Sequence, residues 1–216
     1  MNRAFGLLLA PALIAAALAG CAASPPVNYY TLLTPETAAP SAPRDGRPAY
    51  LLEVLPVTVP SQADQPQIMM RQSDGAVSAY YSDRWTAPLP DEIRGALAYN
   101  LVRDLGVLDV QTLSAPSDAA VWRVQVDVQR FDAAAGGSAV LDATWRVRPV
   151  NLQGRGLLCR SVIRMPLGGS SPGSAVAAQQ RATVALAATI ASAIRSGGAQ
   201  ATAADTAVQL QGCTNA

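Results

Sequence analysis

Three cysteines, at 21, 159 and 213, are the strongest nucleophiles in the chain, and there is no histidine to activate them. The absence of His removes the Ser–His and Cys–His pairs, the usual general base near neutral pH and the commonest transition-metal ligand. No phosphate-binding Walker motif, no G-x-S-x-G elbow and no C-x-x-C occurs. The glycine-rich stretch Gly168-Gly169-Ser170-Ser171 lacks the lysine of a phosphate loop and reads as a hinge. Asp91 and Glu92 are adjacent, so they point to different faces of a helix start and suit its dipole better than paired-carboxylate chemistry. The expectation is a protein that is not an enzyme and that uses neither a cofactor nor a metal.

Cys21 differs from the other two thiols in what precedes it. Arg3 and the amino terminus give a short positive region, and residues 5–19 are apolar but too short to span a bilayer comfortably. Leu18-Ala19-Gly20-Cys21 then has the pattern of a bacterial lipoprotein signal. In that pattern the Cys21 thiol takes a diacylglyceryl group, cleavage falls before it, and the new amino terminus receives a palmitate-type chain. Two or more acyl chains hold a protein on a membrane where one would not, at about 0.8 kcal/mol per buried methylene. An ordinary secreted protein with a cysteine beside its cleavage site is the alternative. Ala22 stands where an inner-membrane retention signal has Asp, so the resemblance to sorted lipoproteins favours the periplasmic face of the outer membrane.

All 16 basic residues are Arg, set against 15 acidic ones. Loss of Arg3 with the signal leaves a formally neutral chain, which argues against nucleic acid as a partner. Cys159 alternates with Leu157, Ser161, Ile163 and Met165, so it reads equally as a buried thiol or as one half of a disulfide with Cys213.

The elements that would hold these residues follow from periodicity. Asn28-Tyr29-Tyr30-Thr31-Leu32 is a short β-prone run, residues 34–48 a Pro- and Ala-rich loop, and residues 50–59 a strand interrupted by Pro56. Asp74-Gly75 predicts a hairpin between residues 68–72 and 77–85, with Tyr81 and Trp85 facing the core. Leu89, Ile93, Leu97, Leu101 and Leu105 predict a helix stopped by Gly106, and residues 107–113 a short strand. A three-strand meander follows, in which Trp122 and Trp145 lie on the apolar face while Arg123, Arg146 and Arg148 lie on the wet face. Ser174 reads as the N-cap of a second helix ending near Arg195.

The expected architecture is α+β: one domain, a mostly antiparallel sheet of about six or seven strands, and two amphipathic helices packed on it. Its limits are a signal peptide at 1–20, a lipidated tether at 21–27, a periplasmic domain at 28–196 and a disordered tail at 197–216. Tyr29 and Tyr30 are candidate partner contacts, set against the alternative that they pack structurally.

The order of signals resembles a known family. The lipoprotein signal, Asn28-Tyr29-Tyr30-Thr31-Leu32, Val57-Thr58-Val59-Pro60 and Trp85-Thr86-Ala87-Pro88-Leu89 precede an alternating meander and a final helix. This is similar to the PqiC-like auxiliary lipoproteins of ABC-type transport systems. The resemblance implies a lipid-anchored outer-membrane docking subunit that works with an MCE-domain protein in intermembrane lipid transport, supports envelope integrity and forms a homo-oligomer. A pilot or assembly lipoprotein for another outer-membrane machine is the alternative.

Overall fold

The computed structural model describes residues 25–34, 49–110, 113 and 115–216. The expected signal peptide, Cys21 and most of the loop at 34–48 lie outside these residues. Ten elements follow one another: β1 (Asn28–Tyr30), β2 (Leu51–Val54), β3 (Gln67–Arg71), β4 (Val77–Trp85), α1 (Leu89–Leu105), β5 (Val121–Ala133), β6 (Ser138–Val150), β7 (Leu157–Pro166), α2 (Pro172–Arg195) and β8 (Val208–Asn215). The α+β class and the two helices are as the sequence predicts. The strands, however, form two sheets, in the orders β1-β4-β3 and β2-β5-β6-β7-β8. β1 runs parallel to β4 and β2 parallel to β5, while the other pairs are antiparallel.

Prolines account for the split. β2 pairs with β5 only as far as Val54, and after Pro56 the chain touches β5 again through a single bridge from Thr58 to Asp127. Pro60 and Pro66 then carry it away from the strand, because proline cannot donate to a ladder. The hairpin that follows builds its own small sheet.

The meander is the centre of the core. Trp122, Val124, Val126 and Val128 of β5, Leu141, Trp145 and Val147 of β6 and Ile163 of β7 are buried on one face. That face meets the small residues of α2, among them Ala178, Ala182, Ala185 and Ala193, whose short side chains let the helix lie close to the sheet. The indole N–H of Trp145, the largest fully buried side chain, donates to Ser161 Oγ at 2.9 Å, so its one polar atom is satisfied.

Both helix ends have local causes. α1 begins at Leu89-Pro90 with Asp91 and Glu92 in its first turn, and it ends at Gly106, whose N–H donates to the Val102 carbonyl. Gly106 has φ of 66°, and a Cβ built there meets no atom within 4 Å, so its cost would be purely conformational. Gly106→Ala is therefore expected to destabilise the domain by about 1 kcal/mol. A urea midpoint lowered at unchanged slope would be the signature, and an unchanged midpoint would contradict it. α2 starts three residues earlier than its sequence suggests: Ser171 is the cap and accepts from the Ser174 N–H at 3.2 Å, because Pro172 fits the first helical turn.

Three expectations need correction. Tyr81 is exposed rather than in the core. Ile68 pairs with Tyr80 but Gln67 pairs with Arg84, so residues 81–83 have no counterpart on β3 and the alternation of β4 is reset. Tyr80 packs on the core in its place, while Trp85 is buried as expected. The stretch 107–113 supplies only a bridge between Asp109 and Leu52 among the described residues.

The third correction is the tail. Residues 208–215 form β8 on the outer edge of β7, and Cys213 is disulfide-bonded to Cys159. Val208 is buried and Leu210 packs against the core, but the remaining strand residues are exposed. A segment with so little to bury looks disordered by composition, yet an edge strand is held by backbone hydrogen bonds, which composition does not report.

Candidate functional site

Two places in the fold bring together residues that the sequence sets far apart. The first is the junction where the amino-terminal segment enters the domain. Glu92, on the first turn of α1, is buried, and its carboxylate accepts from the Thr31 hydroxyl at 2.7 Å and the Leu32 N–H at 2.8 Å. The Thr86 hydroxyl donates to its other oxygen. From α2, the Gln180 amide donates to the Thr31 carbonyl at 2.9 Å. Leu32 beside this clamp is fully buried. The Tyr29-Tyr30-Thr31-Leu32 and Trp85-Thr86-Ala87-Pro88 motifs are thus joined through one carboxylate.

The candidate contacts Tyr29 and Tyr30 divide at this junction. Tyr30 is half-buried and donates to Asp83 Oδ1 at 3.0 Å; burial, reinforced by that hydrogen bond and by the Asp83 charge, raises its phenol pKa. Tyr29, with 64% of its surface exposed, points outward, and Val27 and Leu33 of the same segment are exposed as well.

The second place is a cavity of about 370 Å3 between the two sheets. Small-molecule and side-chain pockets run from about 300 to 1,000 Å3, so its volume suffices for a modest group. Met69, Trp85, Leu89 and Phe131 make its apolar lining, and the Trp85 and Phe131 rings are tilted at 56° with centroids 6.3 Å apart. Arg71 and Arg130 lie at its polar side, both bonded to Asp132 Oδ2, at 2.9 and 2.8 Å. Gln179 of α2 also lines it, with a buried side-chain oxygen that has no hydrogen-bond partner; the Arg71 Nε is buried and unpartnered too.

Sequence reading missed both sites in part. The helix dipole accounts for an acidic residue at position 92, but a place three residues after Leu89 and four before the buried Ala96 puts Glu92 on the edge of the apolar stripe. Gln179 stands between Val176 and Thr183 at helical spacing, and a polar residue on a buried face was the available signal. The wet face holds ordinary surface pairings: Arg123 to Glu53, Arg146 to Gln125 and Arg160 to Asp142. Among the described residues no three His, Cys, Asp or Glu side chains gather as a cation site, and no helix is long and apolar enough to cross a membrane.

The model of the ABC-type transport auxiliary lipoprotein component matches residues 30–191, and the chain belongs to that family. One similar solved structure, titled only as an uncharacterized protein, aligns with a TM-score of 0.62 at 19% identity, covering 78% of this chain and 99% of that one. A second, a Xanthomonas campestris protein of the DUF330 family, aligns with a TM-score of 0.53 at 16% identity, covering 79% of this chain and 96% of that one. No curated protein matches the chain.

Proposed function

We propose that this auxiliary component is a lipoprotein anchored through acyl groups on Cys21 to the periplasmic face of the outer membrane, and that it is a non-catalytic docking subunit of an MCE-type intermembrane lipid transporter. It acts there as a homo-oligomer, contacts the MCE-domain subunit, uses no cofactor and supports the envelope barrier. The observation that carries the reading is the family match beginning at residue 30, directly after Leu18-Ala19-Gly20-Cys21 and a short tether. The Cys159–Cys213 disulfide supports it, since such bonds persist in oxidising compartments, of which the bacterial periplasm is one.

Three experiments test the two halves of the proposal. Metabolic labelling with a radioactive fatty acid should mark the wild-type chain and leave Cys21→Ser unlabelled and unprocessed; equal label in both would refute the anchor. Purification from gently solubilised envelopes should recover the MCE-domain subunit, and deletion of the gene should sensitise cells to detergent. Recovery of a secretin or a barrel-assembly protein in its place would favour a pilot lipoprotein.

A further inference from the structure

The stretch from Thr58 to the end of β3 at Arg71 meets β5 at its start and the residue just past the end of β5 at its close. Thr58 bridges Asp127 and Arg71 bridges Ala134, both in parallel. Between those points residues 59–70 stand against only 128–133, so the longer stretch bows away from the strand. The cavity is the space beneath the bow.

How each strand lines that space distinguishes a face from an edge. β3 contributes Gln67, Met69 and Arg71, every second residue, which is a strand showing its face. β5 contributes the consecutive residues 129–132, which is a strand showing its edge. On its other side β5 is paired with β6, and among the described residues no strand pairs with the cavity side of 129–132. An unpaired edge inside a cleft accepts an added strand.

The unpartnered side chains point to the same ligand chemistry. Gln179, only 3% exposed, leaves an acceptor unsatisfied, and Arg71 leaves its Nε donor unsatisfied. Buried polar groups are normally paired, and a peptide unit, with one N–H and one carbonyl, supplies a partner to each once the two side chains turn toward the cavity. The phosphate of an anionic lipid would serve Arg71, but a lipid has no backbone to add along the free edge of β5. The apolar wall of Met69, Trp85 and Phe131 suits one hydrophobic side chain of the same peptide.

We propose that the cavity captures a short extended peptide segment of a protein partner, its backbone added along the free edge of β5 and one apolar side chain seated against Trp85 and Phe131. The assignment deepens the docking reading and rests on it for the statement that the peptide belongs to a partner.

The test uses the full chain in the bacterial envelope with the photo-reactive residue p-benzoylphenylalanine placed at Val77, an exposed residue lining the cavity, and at the exposed Leu108 as control. Irradiation should join position 77, and not position 108, to one polypeptide segment located by mass spectrometry. A synthetic peptide of that segment should bind the purified full chain in detergent. Met69→Trp, which fills the cavity from a half-buried position, and Gln179→Leu, which removes the unpaired acceptor, should each weaken binding by about tenfold. Because Gln179→Leu alters a buried site, Met69→Trp, with its melting curve matched to wild type, carries the decision. A lipid adduct at 77, no adduct there, or peptide binding indifferent to Met69→Trp would overturn the proposal. A cross-linked peptide from a protein without an MCE domain would keep the cavity assignment and end the MCE reading. Co-purification of the MCE subunit without a peptide adduct at 77 would do the reverse.

Discussion

Reducing the Cys159–Cys213 bond, or replacing both cysteines with alanine, is expected to lower the stability of the domain by about 4 kcal/mol. The bond closes a loop with a sequence separation of 54 residues, and the chain-entropy relation gives that magnitude for a loop of this length. For a domain of this size the melting temperature should fall by roughly ten degrees. The loop contains α2, whose buried face fills the space over β6 and β7, so the cross-link ties the last strand to the strand before the helix. Thermal unfolding with and without reductant measures the effect. Truncation after residue 197 should cost at least as much, since it removes β8 as well as the bond. A melting temperature unchanged by both treatments would mean that β8 contributes nothing to the fold.

That result would also explain why composition misleads at the carboxyl terminus. The segment after α2 is rich in Ala, Thr and Gln, and its one buried residue with a large apolar side chain is Val208. Burial-based reasoning has little to work with in such a stretch. What holds it is a covalent bond and a row of backbone hydrogen bonds to β7, and neither leaves a hydrophobic pattern. The cysteines did carry a signal, because Cys159 alternates with core residues and Cys213 is the one other cysteine after residue 21. The alternation shows that Cys159 is buried; it does not show what its sulfur is bonded to.

Local patterns elsewhere were legible in proportion to how local their causes are. The Asp74-Gly75 hairpin, the start and stop of α1, and the alternation of the meander all depend on neighbours in the chain, and they form where the sequence puts them. Trp85, Trp122 and Trp145 are buried for the same reason. The division into two sheets is not local: it follows from where the proline-containing stretch leaves β5, and hence from a register that only the folded chain reveals. Alternation puts Tyr81 in the core and the structure does not, because β4 carries three residues with no partner on β3 and alternation cannot be read across such an interruption. The cavity was hidden for a related reason, since β3, β5 and α2 meet there from distant parts of the sequence.

Glu92 is the second place where a large effect is expected. Its carboxylate satisfies the Leu32 N–H and the hydroxyls of Thr31 and Thr86 in a buried setting, and hydrogen bonds to a charged group contribute about 1.5–3 kcal/mol each in net terms. Glu92→Ala leaves these donors without their shared acceptor, but the hydroxyls can turn to other partners, so a loss of about 3 kcal/mol is expected rather than the sum. Glu92→Gln keeps the shape and one acceptor oxygen and should cost about half as much. The damage should also be local. β1 is short, Asn28–Tyr30, and its attachment relies on β4, on Glu92 and on the Gln180 amide from α2. Removing the carboxylate should therefore speed amide exchange at Leu32 and Thr86, including the Thr86 N–H that donates to the Tyr30 carbonyl, well beyond any change in the meander. Uniform acceleration through β5, β6 and β7 would show that Glu92 acts on global stability alone. Release confined to residues 28–32 would show that this carboxylate is what fastens the amino-terminal segment, and with it any membrane anchor upstream, to the folded domain.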